Sequence, residues 1–97
     1  EQSPIFRSLS PHFKPEIYFT NDQSDKYSIM EIIAQDSIGL LYRIGHELVA
    51  LDCSIELLLI STEGNKAIDV FYLAYKGEKL SVQFQDQLSK RIIQSIG

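Results

Sequence analysis

Twice along this chain, an extended run rich in β-branched and aromatic residues gives way to a segment whose apolar residues recur at helical spacing. Tyr27–Ala34 precedes Leu41, Ile44, Leu48 and Leu51, and Ala67–Tyr75 precedes Phe84, Leu88, Ile92 and Ile96. Strand side chains repeat with period two and helix side chains with period 3.6. The chain is therefore committed to helices packed on a sheet.

The remaining segments fit between these anchors. Glu16–Thr20 is a short strand candidate, Asn21–Asp25 a turn, and a hairpin into Tyr27–Ala34 the simplest connection. A helix is expected from about Gly39 to Leu51. Ser54–Thr62 is too short and apolar for period alone to assign, and its context favours a strand. Glu63-Gly64-Asn65 is a turn signal that joins it to Ala67–Tyr75 as a hairpin. Lys76–Lys79 closes that run, and Ser81 is placed to cap the second helix.

The order strand, strand, helix, strand, strand, helix gives an α+β fold, an antiparallel sheet with both helices on one face. That is a ferredoxin-like arrangement. A complete βαββαβ unit has a strand after its second helix, whereas only Gly97 follows Ile96. Glu16–Thr20 is expected to take the vacant edge. Residues 1–14, with Pro4, Pro11 and several serines, read as a linker or surface arm, and residues 15–97 as the domain.

Composition narrows the partners. At 97 residues and 44% hydrophobic content, the chain is one folded domain rather than a disordered segment. A core of this size buries only about 60–65% of the unfolded surface. The net charge is −4 and the nine Lys and Arg residues are scattered, which speaks against nucleic acid and anionic membranes. A single cysteine, Cys53, forms no intrachain disulfide and offers no thiolate pair for zinc, which fits a reducing, cytoplasmic setting. No cofactor is expected. No apolar run approaches the ~20 residues of a membrane helix. The chain starts without an initiator Met or a signal-like stretch, and reads as a fragment of something longer.

The apolar pattern exceeds what two helices can cover. Ala67, Phe71 and Leu73 point one way along their strand, and Ile68, Val70 and Tyr72 point the other. Ser54–Thr62, with Ile55, Leu57 and Leu59, is expected at a sheet edge, where free backbone groups invite another strand. Self-association or docking to a sister domain follows. The alternative is a single thick core.

Asp36-Ser37-Ile38-Gly39-Leu40-Leu41 lies where the first long strand ends and the first helix begins. One reading is a helix start, with Asp36 or Ser37 capping free N–H groups. The other is a ligand loop, because a glycine turn and unpartnered helix N–H groups suit a small anion or carboxylate. With the strand before it, the helix after it and the hairpin Ile60–Tyr72, this stretch resembles ACT domains and their Asp-x-x-Gly-Leu-Leu turn. The resemblance covers about seventy residues. Ser28–Leu41, Ile60–Gly64, Ala67–Tyr72 and the preceding Pro15–Phe19 are most similar to the C-terminal ACT domain of bacterial PII uridylyltransferases, the uridylyl-removing enzymes.

That resemblance implies a regulatory, glutamine-sensing module of nitrogen metabolism whose catalytic domains lie elsewhere in a nucleotidyltransferase chain. It implies no catalysis by this fragment, and an amino acid bound where the turn faces another ACT domain, in the same chain or in a homodimer. The positions carried over are Asp36, Gly39 and Leu40, within the ligand-binding stretch Asp36, Ser37, Ile38, Gly39, Leu40 and Leu41. The amino acid's carboxylate would take the N–H groups of Gly39, Leu40 or Leu41, and Asp36 either takes its ammonium or caps the helix. Ile38 replaces the family's usual proline, and Ser37 its basic residue or glutamine. A purely structural pairing module is the alternative.

Other candidates carry less. His46 and Cys53 are read as an exposed helix flank and a strand start, not a thiol catalyst. His12 has no second metal ligand at useful spacing. Asp69, between Ile68 and Val70, is structural or interfacial. Phe71, Tyr72 and Tyr75 lack the basic, glycine-flanked setting of an RNA-binding sheet.

Overall fold

The computed structural model describes residues 14–97. Apart from Lys14, the arm expected over residues 1–14, His12 included, lies outside the described residues. The elements run β1 (Glu16–Thr20), β2 (Ser28–Gln35), α1 (Leu40–Ala50), β3 (Cys53–Glu63), β4 (Lys66–Tyr75) and α2 (Val82–Ile96). They form one sheet of order β1-β2-β4-β3, antiparallel at every pairing. β1 pairs Ile17 with Ile32 and Phe19 with Met30, and so occupies the edge that a strand after α2 would take. The fold is ferredoxin-like, with the final strand supplied from the N-terminal side.

Period two sorts the sheet into faces. Ser28, Met30, Ile32 and Ala34 of β2 and Ala67, Asp69, Phe71 and Leu73 of β4 are buried. Ile44 and Leu48 of α1 and Leu88 and Ile92 of α2 join those apolar strand residues in one cluster, which puts both helices on that face. Leu40, not Leu41, completes the α1 stripe, because the helix begins at Leu40 and residues 40, 44 and 48 stack four apart. Leu41 and Leu51 flank the core half-buried.

Among the described residues, nothing covers the opposite face. Ile33, Ile68, Val70 and Tyr72 are half-buried there, beside the exposed Leu57 and Leu59 of β3. A bulge between Ile55 and Leu57 interrupts the β3 register. Ile55 pairs with Leu73 and faces the helix side, whereas Leu57 pairs with Tyr72 and faces the open side. The bulge thus separates two residues whose spacing alone would put them together.

Turns and caps follow local chemistry. Gly64, at φ +63°, begins the two-residue turn between β3 and β4. Lys76 and Gly77 both have positive φ, and Tyr75 and Glu78 exchange both backbone hydrogen bonds across them. Ser81 caps α2, its Oγ accepting the Phe84 N–H at 3.1 Å. The start of α2 is further tied to the β1–β2 turn: Asn21 Nδ2 donates to the Leu80 carbonyl at 3.0 Å and Lys79 Nζ to the Asn21 carbonyl at 2.6 Å. Among the described residues, no helix is long and apolar enough to cross a membrane.

Candidate functional site

The β2–α1 connection is held from two sides. The Asp36 N–H donates to the carbonyl of Asn65, in the β3–β4 turn, at 2.7 Å. Gly39 then takes a left-handed conformation, φ +81°, and serves as the N-cap of α1 without any side-chain cap. Neither Asp36 nor Ser37 therefore caps the helix through its side chain. A left-handed backbone suits glycine, and a side chain here carries a strain cost.

The cap conformation decides which helix N–H groups are left over. Leu40 N–H donates to the Ser37 carbonyl at 3.2 Å and Arg43 N–H to the Gly39 carbonyl at 3.0 Å. The N–H groups of Leu41 and Tyr42 find no acceptor among the described residues. Such groups, at the positive end of a helix dipole, favour a carboxylate or other anion. Ser37 Oγ is engaged differently, accepting from Arg43 Nη2 at 3.4 Å.

A cleft of about 310 Å³ lies against this helix start, at the small end of ligand sites. Five of the six residues singled out in the sequence line it: Asp36, Ser37, Gly39, Leu40 and Leu41. Ile38 does not, being 99% exposed. Tyr42 adds to the helix side.

The other wall comes from residues that sequence reasoning did not choose as ligand groups. Ile60 and Thr62 of β3 pair with Asp69 and Ala67 of β4, and all four line the cleft. Asp69 is 1% exposed, and its Oδ1 is buried with no hydrogen-bond partner among the described residues. Burial first, and the nearby charge of Asp36 second, push its carboxyl above the ordinary carboxylate range. The signal was present in the sequence as parity: Asp69 alternates with Ala67 and Phe71, on the helix-facing side.

Elsewhere the candidates separate. Ile55, Leu57 and Leu59 are exposed on β3 and stand outside the cleft lining. His46 is exposed and stacks on Tyr42 with ring centroids 6.2 Å apart. Cys53 is buried in the core, where desolvation pushes its thiol up to about 11. A thiolate nucleophile is disfavoured there. A larger groove, about 710 Å³, runs between Pro15, the end of β2 and the end of α2. Among its described lining residues Lys14 alone has a charged side chain.

The sequence is similar to enzymes named bifunctional uridylyltransferase/uridylyl-removing enzyme. The relative from Zymomonas mobilis is 35% identical over 72 residues, 73% of this chain and 8% of the relative. That from Vibrio campbellii is 32% identical over 88 residues, 88% of this chain and 10% of the relative. That from Azospirillum brasilense is 39% identical over 62 residues, 64% of this chain and 7% of the relative. No family model matches the chain. No solved structure matches it either. The chain is thus homologous to one segment, a tenth or less of the length, of bifunctional uridylyltransferase/uridylyl-removing enzymes.

Proposed function

We propose that this chain is an ACT-type regulatory domain of a PII uridylyltransferase/uridylyl-removing enzyme. In this reading it senses an amino acid, glutamine first, and passes occupancy to catalytic domains outside the 97 residues. The observation that carries the reading is the juxtaposition of the unbonded Leu41 and Tyr42 N–H groups with Asp36 in one cleft. A carboxylate fits the former and an ammonium the latter. Ligand binding would act by favouring one arrangement of paired domains over another, in control of nitrogen metabolism in the cytoplasm. Nucleic acid and membrane are not partners in this reading.

The test is thermal unfolding of the chain, at a measured oligomeric state, across the twenty amino acids. A ligand at a hundred times its dissociation constant adds about 2.7 kcal/mol, and each kcal/mol moves the midpoint by roughly 4–8 °C in a domain of this size. Glutamine should raise the midpoint selectively, and Gly39→Asp should abolish the rise. The variant carries the strain of a left-handed backbone, about 1–2 kcal/mol, which should lower its unliganded midpoint. It should nevertheless keep its fold, because a Cβ at Gly39 meets only the end of the flexible Arg43 side chain, at 3.4 Å.

A second reading rests on a separate observation. Leu57 and Leu59 leave an apolar surface, 46% and 50% exposed, on the edge strand β3. A module that pairs with another ACT domain, in the same chain or as a homodimer, and binds no metabolite would account for that surface. Concentration-dependent dimerisation without any amino-acid effect on the midpoint would favour it.

A further inference from the structure

We propose that Asp69 is the specificity-determining residue of this cleft, selecting ligands that carry a protonated amino group and rejecting the same acids without one. The proposal rests on the amino-acid reading above and names the group that the ligand must present. A buried carboxyl with an oxygen that has no hydrogen-bond partner is costly unless a partner arrives. Asp69 meets that description: it is 1% exposed, its Oδ1 has no partner among the described residues, and it lines the cleft together with Asp36.

Among the described residues no cation lines the cleft with it, although Arg43 Nη2 donates to Ser37 Oγ of the lining at 3.4 Å. The β2–α1 loop contributes Asp36, α1 contributes the phenol of Tyr42, and β3 contributes the uncharged Ile60 and Thr62. Among the described lining residues, none is Lys, Arg or His. Two carboxyls, with the Arg43 guanidinium engaged by Ser37 Oγ, beside a helix start with two unbonded N–H groups form a bipolar cleft. An α-amino acid zwitterion matches both poles, whereas a carboxylic or 2-oxo acid matches one and brings a further negative charge toward Asp36 and Asp69.

The proton balance follows. Without ligand, Asp69 is held toward its neutral form by burial and by Asp36. When the ligand ammonium arrives, the Asp69 carboxyl releases its proton to solvent and the carboxylate pairs with the ammonium, so binding releases a proton and tightens as pH rises through the titration of Asp69.

The experiment compares each stabilising amino acid with its counterpart lacking the amino group, for glutamine 4-carbamoylbutanoate, by titration calorimetry in two buffers of different ionisation enthalpy. At a pH low enough for Asp69 to hold its proton in the free chain, the wild-type chain should bind glutamine with net proton release that fades as pH rises, and it should bind 4-carbamoylbutanoate at least about 30-fold more weakly. Asp69→Asn keeps the side-chain size, and should lose the proton release and bring the two affinities together. Equal wild-type affinity for the two compounds overturns the proposal without recourse to any variant. Glutamine binding that Asp69→Asn leaves unchanged also overturns it, with the amino-acid reading intact. Absence of a response to any of the twenty amino acids overturns both.

Discussion

Leu80 and Ser28, separated by 52 residues, share one buried hydrogen bond, the Leu80 N–H donating to Ser28 Oγ at 2.8 Å. The same hydroxyl donates to Asn21 Oδ1 at 2.6 Å. One small side chain thereby joins β2, the β1–β2 turn and the approach to α2. Ser28→Ala removes the acceptor and strands the Leu80 N–H in the interior, a change that costs about 1–3 kcal/mol. The expected result is a midpoint lowered by roughly 4–24 °C in thermal unfolding. A change below two degrees would show that the N–H finds another acceptor.

The bulge in β3 makes a second, directional prediction. Leu57 and Leu59 face the open side of the sheet together, whereas Ile55 faces the helix side. If copies associate through the open face, Leu57→Glu and Leu59→Glu should each weaken association, and Ile55→Glu should weaken it less. Sedimentation across a concentration series measures this. An equal loss at all three positions would mean that association follows the strand edge instead.

Periodicity carried most of the fold into view, because residues 30, 32 and 34, residues 71 and 73, and residues 88 and 92 obey their element's repeat without interruption. The edge position of β1 was legible for a topological reason: the repeat left one edge vacant and one strand unassigned. What stayed hidden arose where local geometry departs from the repeat. The bulge at Ile55/Leu57 reverses which side each residue faces, and nothing in an apolar run marks where the extra residue sits. The left-handed N-cap at Gly39 likewise displaced Asp36 and Ser37 from the capping role that their residue types favour. Asp69 was overlooked because a lone carboxylate in an apolar strand looks structural until its neighbours across the sheet are known.

Cys53 tests the core against the surface. Its thiol is buried and pushed up to about 11, so near neutral pH almost none of it is thiolate. A thiol-reactive reagent at pH 8 should label the folded chain far more slowly than the chain in denaturant. Equal rates would show that the start of β3 opens readily.

Asp69 gives the stability of the domain a pH dependence of unusual sign. Most carboxylates that matter in a native state have lowered pKa values and stabilise as pH rises. Burial and Asp36 raise the carboxyl of Asp69. Below the ordinary carboxylate pKa, about 3.9, both folded and unfolded chains hold this proton and the group contributes no slope. Between that value and the raised folded pKa, the folded chain holds the proton while the unfolded chain has lost it, so stability falls as pH rises. Asp69→Asn removes this contribution and leaves those of the other carboxylates in place. The midpoint difference, wild type minus variant, should therefore decrease from pH 4 upward and level off once Asp69 is ionised in both states. A difference that stays flat would place Asp69 in contact with water or a partner, and one that increases would mean that a cation reaches it in the folded chain.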